Sequence, residues 1–415
     1  VASLSANAQL VEQASMGKSG NYDVKMVSAP ALQPAWISSS SPMTVVSIMT
    51  NEEMFAAGDD NALNNRFDNG FTGKPAQAAL APAGATGISQ VYADCDDDNN
   101  TFQSSAAFMD FGNNMGCTKI EGAYLYWSGV TGNTNYAAYP GTTTMKSYTG
   151  NMSVGNMTNY NTVKFKAPGM ADYVDVTATR NVTPAGDSYV CMADLTQMVK
   201  NNPEYFTGGL YWVANVKSGS ERGGGGARAG WSLVVIYSYP NCPQRVIKFW
   251  DQNGNTNGAG NGTTLSFNFK AGEVPASGNS VSYLGFIGLD GEDTAPLIMD
   301  DIKLEGTETQ DQITAKSRAV AEQNKVVFNG GNGNKDIQPF LTDQAPVHAC
   351  NEKAVCGDAV YCGFVSSQMT TYDPETGLNG NQITRLPNNI ITLGYDAHHV
   401  KLPAGSMGAG ATSAT

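Results

Sequence analysis

The sequence predicts a mainly β fold, antiparallel β-sandwich or jelly-roll-like, with one or two short helices. Three observations predict it. Of 415 residues, 46 are Gly, and Asn, Ser and Thr are abundant. Gly and Asn supply the positive φ that turns need, whereas Gly, Asn and Thr are weak helix formers. Short apolar or alternating runs recur along the chain, as half-buried strands require. Between them turn signals are dense, at Asn69-Gly70, Gly132 to Asn135, Asn253 to Asn261 and Asn329 to Asn334.

Taken in order, residues 1–42 are Ser- and Ala-rich without clear periodicity, and read as an extended arm with a short helix near Ala8 to Ala14. A sandwich domain is expected over 43–240, from the runs Thr44 to Met49, Ile120 to Trp127, Tyr160 to Ala167, Val174 to Thr177, Gly209 to Val216 and Trp231 to Ser238. Residues 241–402 read as a second β-rich domain or a continuation of the sandwich, with strands at Arg245 to Trp250, Thr264 to Phe269, Val281 to Gly288, Lys325 to Phe328, Tyr361 to Val365 and Ile390 to Tyr395. Helices are expected at Ala193 to Asn201, stopped by Pro203, and at Gln310 to Asn324. Gly219 to Gly226 and Asn329 to Asn334 resemble connectors. The small residues of 403–415 read as a linker, with the natural chain expected to continue past Thr415.

Charge narrows the function classes. Charged residues are only 15% of the chain and the net charge is −13, the wrong sign for a nucleic-acid binder. No stretch reaches the roughly 18 apolar residues of a membrane span. Val1 reads as a mature N-terminus left by removal of a signal peptide. An extracellular location makes structural disulfides the expected use of Cys95, Cys117, Cys191, Cys242, Cys350, Cys356 and Cys362. Pairing is expected for Cys95 with Cys117, Cys191 with Cys242, and two of the last three. Seven is odd, so one thiol is left over.

The densest acidic cluster is Asp94, Asp96, Asp97 and Asp98 with Asn100. Hard oxygen ligands at this spacing suit Ca²⁺, although the loop lacks the Gly and Glu of an EF-hand. A solvated acidic loop is the competing reading. No catalytic pattern emerges. His398 and His399 lie near Asp396, but the chain lacks Gly-x-Ser-x-Gly and His-Glu-x-x-His. Glu121 to Trp127 sets an acid beside aromatics, as sugar sites do, yet its alternation points Ala123, Leu125 and Trp127 at a core. Gly223 to Gly226 lacks a Walker lysine. Thr294, in Asp293-Thr294-Ala295, resembles the short O-mannosylation site of Bacteroidota.

Several ordered blocks belong together: Asp94 to Ala106, Cys117 to Trp127, Val163 to Pro168 with Tyr173 to Val176, Tyr189 to Thr196, Trp212 to Val216, Ala229 to Pro240 and Leu393 to Asp396. The series resembles the N-terminal region of very large Bacteroidota surface proteins exported by the type IX system, of the gliding-motility adhesin kind. Ala229-Gly-Trp-Ser-Leu-Val-Val-Ile-Tyr237 is its most specific block, whereas Cys350 to Cys362 has no counterpart. The resemblance implies secretion, surface display and adhesion, without catalytic residues. The expectation is therefore a non-enzymatic, extracellular adhesin or filament subunit. Its partners would be copies of itself, neighbouring modules of a filament, or surface glycans and proteins. The alternatives are a carbohydrate-binding module or glycan-active enzyme, and a surface-layer protein.

Overall fold

The structure is a computed structural model. It describes residues 10–38, 44–50, 53, 81–96, 98–112, 118–130, 159–182, 188–218, 229–252, 267–277, 281–289, 326–329, 335–337, 369–371, 381–389, 395–401 and 409–414. In chain order these begin with β1 (Leu10–Glu12), β2 (Lys18–Asn21), β3 (Asp23–Pro30), β4 (Leu32–Ser38), β5 (Thr44–Ile48), β6 (Gly87–Tyr92), β7 (Ser104–Met109) and β8 (Lys119–Val130). Then follow β9 (Thr162–Lys166), β10 (Val174–Thr177), β11 (Arg180–Val182), β12 (Ser188–Asp194), α1 (Thr196–Asn201), β13 (Gly209–Ala214), β14 (Gly230–Ser238), β15 (Gln244–Ile247) and β16 (Trp250–Gln252).

Two antiparallel five-stranded sheets form the centre. One runs β11-β12-β8-β14-β3, the other β10-β9-β13-β7 followed by Arg385–Leu386. The chain crosses repeatedly between them: β3 lies in the first sheet, β7 in the second, β8 in the first, β9 and β10 in the second. It then returns to the first for β11 and β12, crosses for β13, and ends in the first with β14. The order β3-β14-β8-β12 opposite β7-β13-β9-β10 is that of a jelly roll. The expected fold class is therefore the observed one.

Alternation explains which residues fill the space between the sheets. Ala123, Leu125 and Trp127 of β8 point inward with Trp231, Leu233 and Val235 of β14 and with Tyr189 and Cys191 of β12. Opposite them lie Tyr211 and Val213 of β13 and Val163 and Phe165 of β9. The two indoles of this core are hydrogen-bonded. Trp127 Nε1 donates to Tyr160 O at 2.9 Å and Trp231 Nε1 to Ser105 Oγ at 2.9 Å.

The first sheet is covered on its other face as well. There Tyr124, Met192 and Ile236 pack with Met16 and Ile247. The pairs β1–β16 and β2–β15 cross this side. Burial on both faces accounts for the apolar run Leu233 to Tyr237 of β14, a strand in which only Ser238 is not buried. Helix α1 ends before Pro203, as expected, but starts later than the sequence suggests because Ala193 and Asp194 belong to β12.

Residues 10–38, described within the expected arm, do not form an extended arm. They supply β1 to β4, and β3 is an edge strand of the central sheet. Their Ser and Ala content reflects tight packing: Ala29 is fully buried, and Ser28 Oγ lies 2.7 Å from Ser232 Oγ. Beyond residue 240 the chain continues the same body, with β15 and β16 pairing to β2 and β1 and Arg385–Leu386 pairing to β7. The tail does not read out as a linker over 409–414, because Ser413–Ala414 pairs with Phe267–Asn268 and with Val326–Asn329. Of the strand expected at Ile390 to Tyr395 only Tyr395 is described, and it opens the strand Tyr395–Lys401, which carries the two histidines. Tyr361 to Val365 and the helix Gln310 to Asn324 lie outside the described residues.

Candidate functional site

The acidic loop joins β6 to β7, and Ser104 organises it. Ser104 Oγ accepts the backbone N–H of Cys95 at 2.8 Å and of Asp96 at 2.9 Å, and donates to Asp94 Oδ1 at 3.2 Å. Asp96 Oδ1 accepts the N–H of Asp98 at 3.1 Å and the Thr101 hydroxyl at 3.0 Å. Asp98 Oδ1 accepts the backbone and side-chain N–H of Asn100, at 2.9 and 2.8 Å. From the other side the Tyr173 hydroxyl donates to Asp96 Oδ2 at 2.6 Å. Burial raises the Tyr173 phenol far above its ordinary value, and the bond to Asp96 and the charges of Asp96, Asp98 and Asp94 raise it further.

These bonds hold the described part of the loop together. Among the described residues no three His, Cys, Asp or Glu side chains are grouped to hold a metal ion. Asp97, named with Asp94, Asp96, Asp98 and Asn100 as a calcium ligand, lies outside the described residues, as does Thr294.

The cysteines are placed differently from expectation. Cys191 sits in mid β12 opposite Trp127, whereas Cys242 lies beyond Ser238, which pairs with Lys119. Trp127 and Lys119 are eight residues apart on β8, so the strand positions beside the two cysteines are separated by roughly 25 Å at ~3.3 Å per residue. A disulfide reaches only about 6 Å between Cα atoms, and Cys191 and Cys242 are not bonded to each other. Burial pushes the Cys191 thiol up to about 12, so it behaves as a core residue. Cys117, Cys350, Cys356 and Cys362 lie outside the described residues, so the expected partner of Cys95 is among them.

His398 and His399 are interior, 0% and 2% exposed. Their strand is flanked by Tyr283–Leu289 and by Met369–Thr371. Burial holds both imidazoles down to about 3, and at His399 the charges of Lys25 and Arg245 add to it. Arg245 itself stacks 4.4 Å over the Tyr283 ring and pairs with Asp23 at 3.3 Å. A histidine that stays neutral in a closed interior is a packing residue. Glu121 is similarly structural, bonded to Lys119 at 2.8 Å, while Trp127 is fully buried.

One arrangement escaped the sequence reading. On the outward face of the second sheet, Leu386, Ala106, Trp212 and Lys166 stand side by side on adjacent strands. Lys166 Nζ lies 5.9 Å from the Tyr173 ring centroid, so the row ends at the phenol held by Asp96. The next row pairs Lys164 with Asp175 at 3.2 Å. The alternation of Tyr160 to Ala167 and of Gly209 to Val216 already set these residues opposite the core face. Only the strand order shows that they are neighbours. Comparison with known proteins returned no matching family, no matching curated protein and no matching solved structure.

Proposed function

We propose that the chain is a non-catalytic extracellular module that serves as a cell-surface adhesin or as a subunit of a surface filament. The observation that carries this reading is the open edge of the second sheet. Among the described residues strand β10 pairs with β9 alone, and Val174, Asp175 and Thr177 on it are exposed. Such an edge offers backbone donors and acceptors to an added strand. Residues 10–38 are occupied within the fold itself as β1 to β4. Export by the type IX route belongs to the same proposal and rests on the Ala229 to Tyr237 block.

The Glu121 to Trp127 segment that suggested a sugar site does not support an enzyme, since Trp127 is fully buried. Immunogold electron microscopy of intact cells, with an antibody raised against this chain, tests the proposal. Label along or capping thin surface fibres is the expected result. A uniform coat would replace it with the surface-layer reading, and label confined to the medium would overturn both.

A further inference from the structure

Lys248 stands between β15 and β16, and its side chain is only 6% exposed. An ammonium has three N–H donors, and this one has acceptors on three separate segments. Glu12 Oε1, at the end of β1, lies 3.2 Å from Nζ. Asn268 O, in the strand Phe267–Asn268, lies 3.3 Å away, and Glu273 Oε2, in the turn that follows, 2.8 Å away. Nζ also sits 5.4 Å from the Trp250 ring centroid, and that ring lies edge-on to Phe269 at 6.3 Å.

The first and the last segments of the described structure are thereby held at one point. On one side β1 pairs with β16, and the Gln13 N–H donates to Phe249 O at 2.8 Å. On the other side Phe267–Asn268 pairs with Ser413–Ala414. There the Phe269 N–H donates to Thr412 O and the Gly410 N–H to Pro275 O, both at 2.8 Å. Glu273 Oε2 also accepts the Lys270 N–H at 2.6 Å, which fixes the carboxylate within its turn.

We propose that Lys248 is a latch that makes these two corners open as one unit, so that a disturbance of β1 is passed to residues 409–414 and the reverse. The physical reason is the shared ammonium. A charge so little hydrated holds its partners more strongly than it would in water. When β1 lifts away, Glu12 leaves and water reaches Nζ and the Trp250 ring. The raised local dielectric weakens the bonds to Glu273 and Asn268 O, and the strand that pairs with Ser413 loses its tie to β16. When the turn at Glu273 lifts away, Nζ swings toward solvent and Glu12 loses the ammonium. Two separate exposed ion pairs would carry no such message, since each is solvated on its own. Coupling through one group is reciprocal by linkage. The latch describes how the fold opens, so it stands or falls apart from the adhesin reading.

Hydrogen–deuterium exchange of the full chain tests it, read by mass spectrometry on peptides covering Gln13, Phe269 and Gly410, with peptides of β8 and β14 as the internal reference. Lys248→Met keeps the stem over Trp250 and removes the charge. It is expected to speed exchange at all three positions by about fivefold or more, the lower end of couplings between sites, and to leave β8 and β14 unchanged. Glu12→Ala and Glu273→Ala decide between a latch and two independent contacts. Glu12→Ala is expected to speed exchange at Phe269 and Gly410, and Glu273→Ala to speed it at Gln13. Substitutions that act only on their own segment would overturn the proposal, as would a Lys248→Met protein that exchanges like the wild type. So would equally faster exchange in β8 and β14, since the corners would then open only with the whole body.

Discussion

His398 and His399 are neutral in the folded protein because burial holds both near 3, against an ordinary 6.5. The unfolded chain therefore takes up protons first as the medium is acidified. The stability tied to these residues is complete above about pH 6.5 and is lost as pH falls toward the folded values. At one unit below 6.5 the loss is about 1.4 kcal/mol per histidine. Calorimetric melting between pH 7.5 and 4.5 is expected to show a steeper fall for the wild type than for a His398→Asn/His399→Asn variant. Equal slopes would contradict the assignment. At Gly230 an added Cβ would lie 2.6 Å from Tyr395 Cγ, so Gly230→Ala is expected to cost about 1–3 kcal/mol in denaturant unfolding. Asp96→Ala removes the acceptor of three hydrogen bonds. It is expected to lower the melting temperature equally in EDTA and in calcium, because none of those bonds needs a cation. A difference between the two buffers would show that the loop holds calcium.

Among the elements, the strand Tyr395–Lys401 does more than its late position suggests. Tyr395 is 1% exposed and its hydroxyl lies 3.0 Å from Ser232 Oγ, which in turn meets Ser28. One late side chain thus sits on the two strands β3 and β14. Replacing Tyr395 by Ala is expected to cost about 3–5 kcal/mol, read as a lower denaturant midpoint with little change in slope. Tyr395→Phe is expected to cost about 1 kcal/mol, the worth of one hydrogen bond. Strands such as Val174–Thr177 and Gly230–Ser238 were legible because alternation or a β-branched run marks them. Strands β3, β4 and β7 were not. Ser104–Met109 is mostly small Ser and Ala residues, which carry little pattern and find their place only against larger partners.

For the molecule as a whole, the sandwich is completed by segments distant in sequence. A chain cut after residue 240 would lack β15, β16, Arg385–Leu386 and Tyr395–Lys401. It would expose the Tyr124, Met192 and Ile236 face of the first sheet that Ile247 helps to cover. Thermal unfolding of such a fragment is expected to lose the cooperative transition of the full chain; a sharp transition at the same temperature would show that 1–240 folds alone. The Ala229 to Tyr237 block, the most specific part of the family resemblance, is the buried central strand β14. By itself the sequence determined the β class, the turns, most strands of the second sheet and the inward faces of β8 and β14. These are local properties, set by side-chain period and by turn residues. Strand order, the burial of the histidines, the separation of Cys191 from Cys242 and the row from Leu386 to Tyr173 were decided only by the tertiary structure. Each depends on which strands become neighbours, and in an antiparallel jelly roll those neighbours are far apart along the chain.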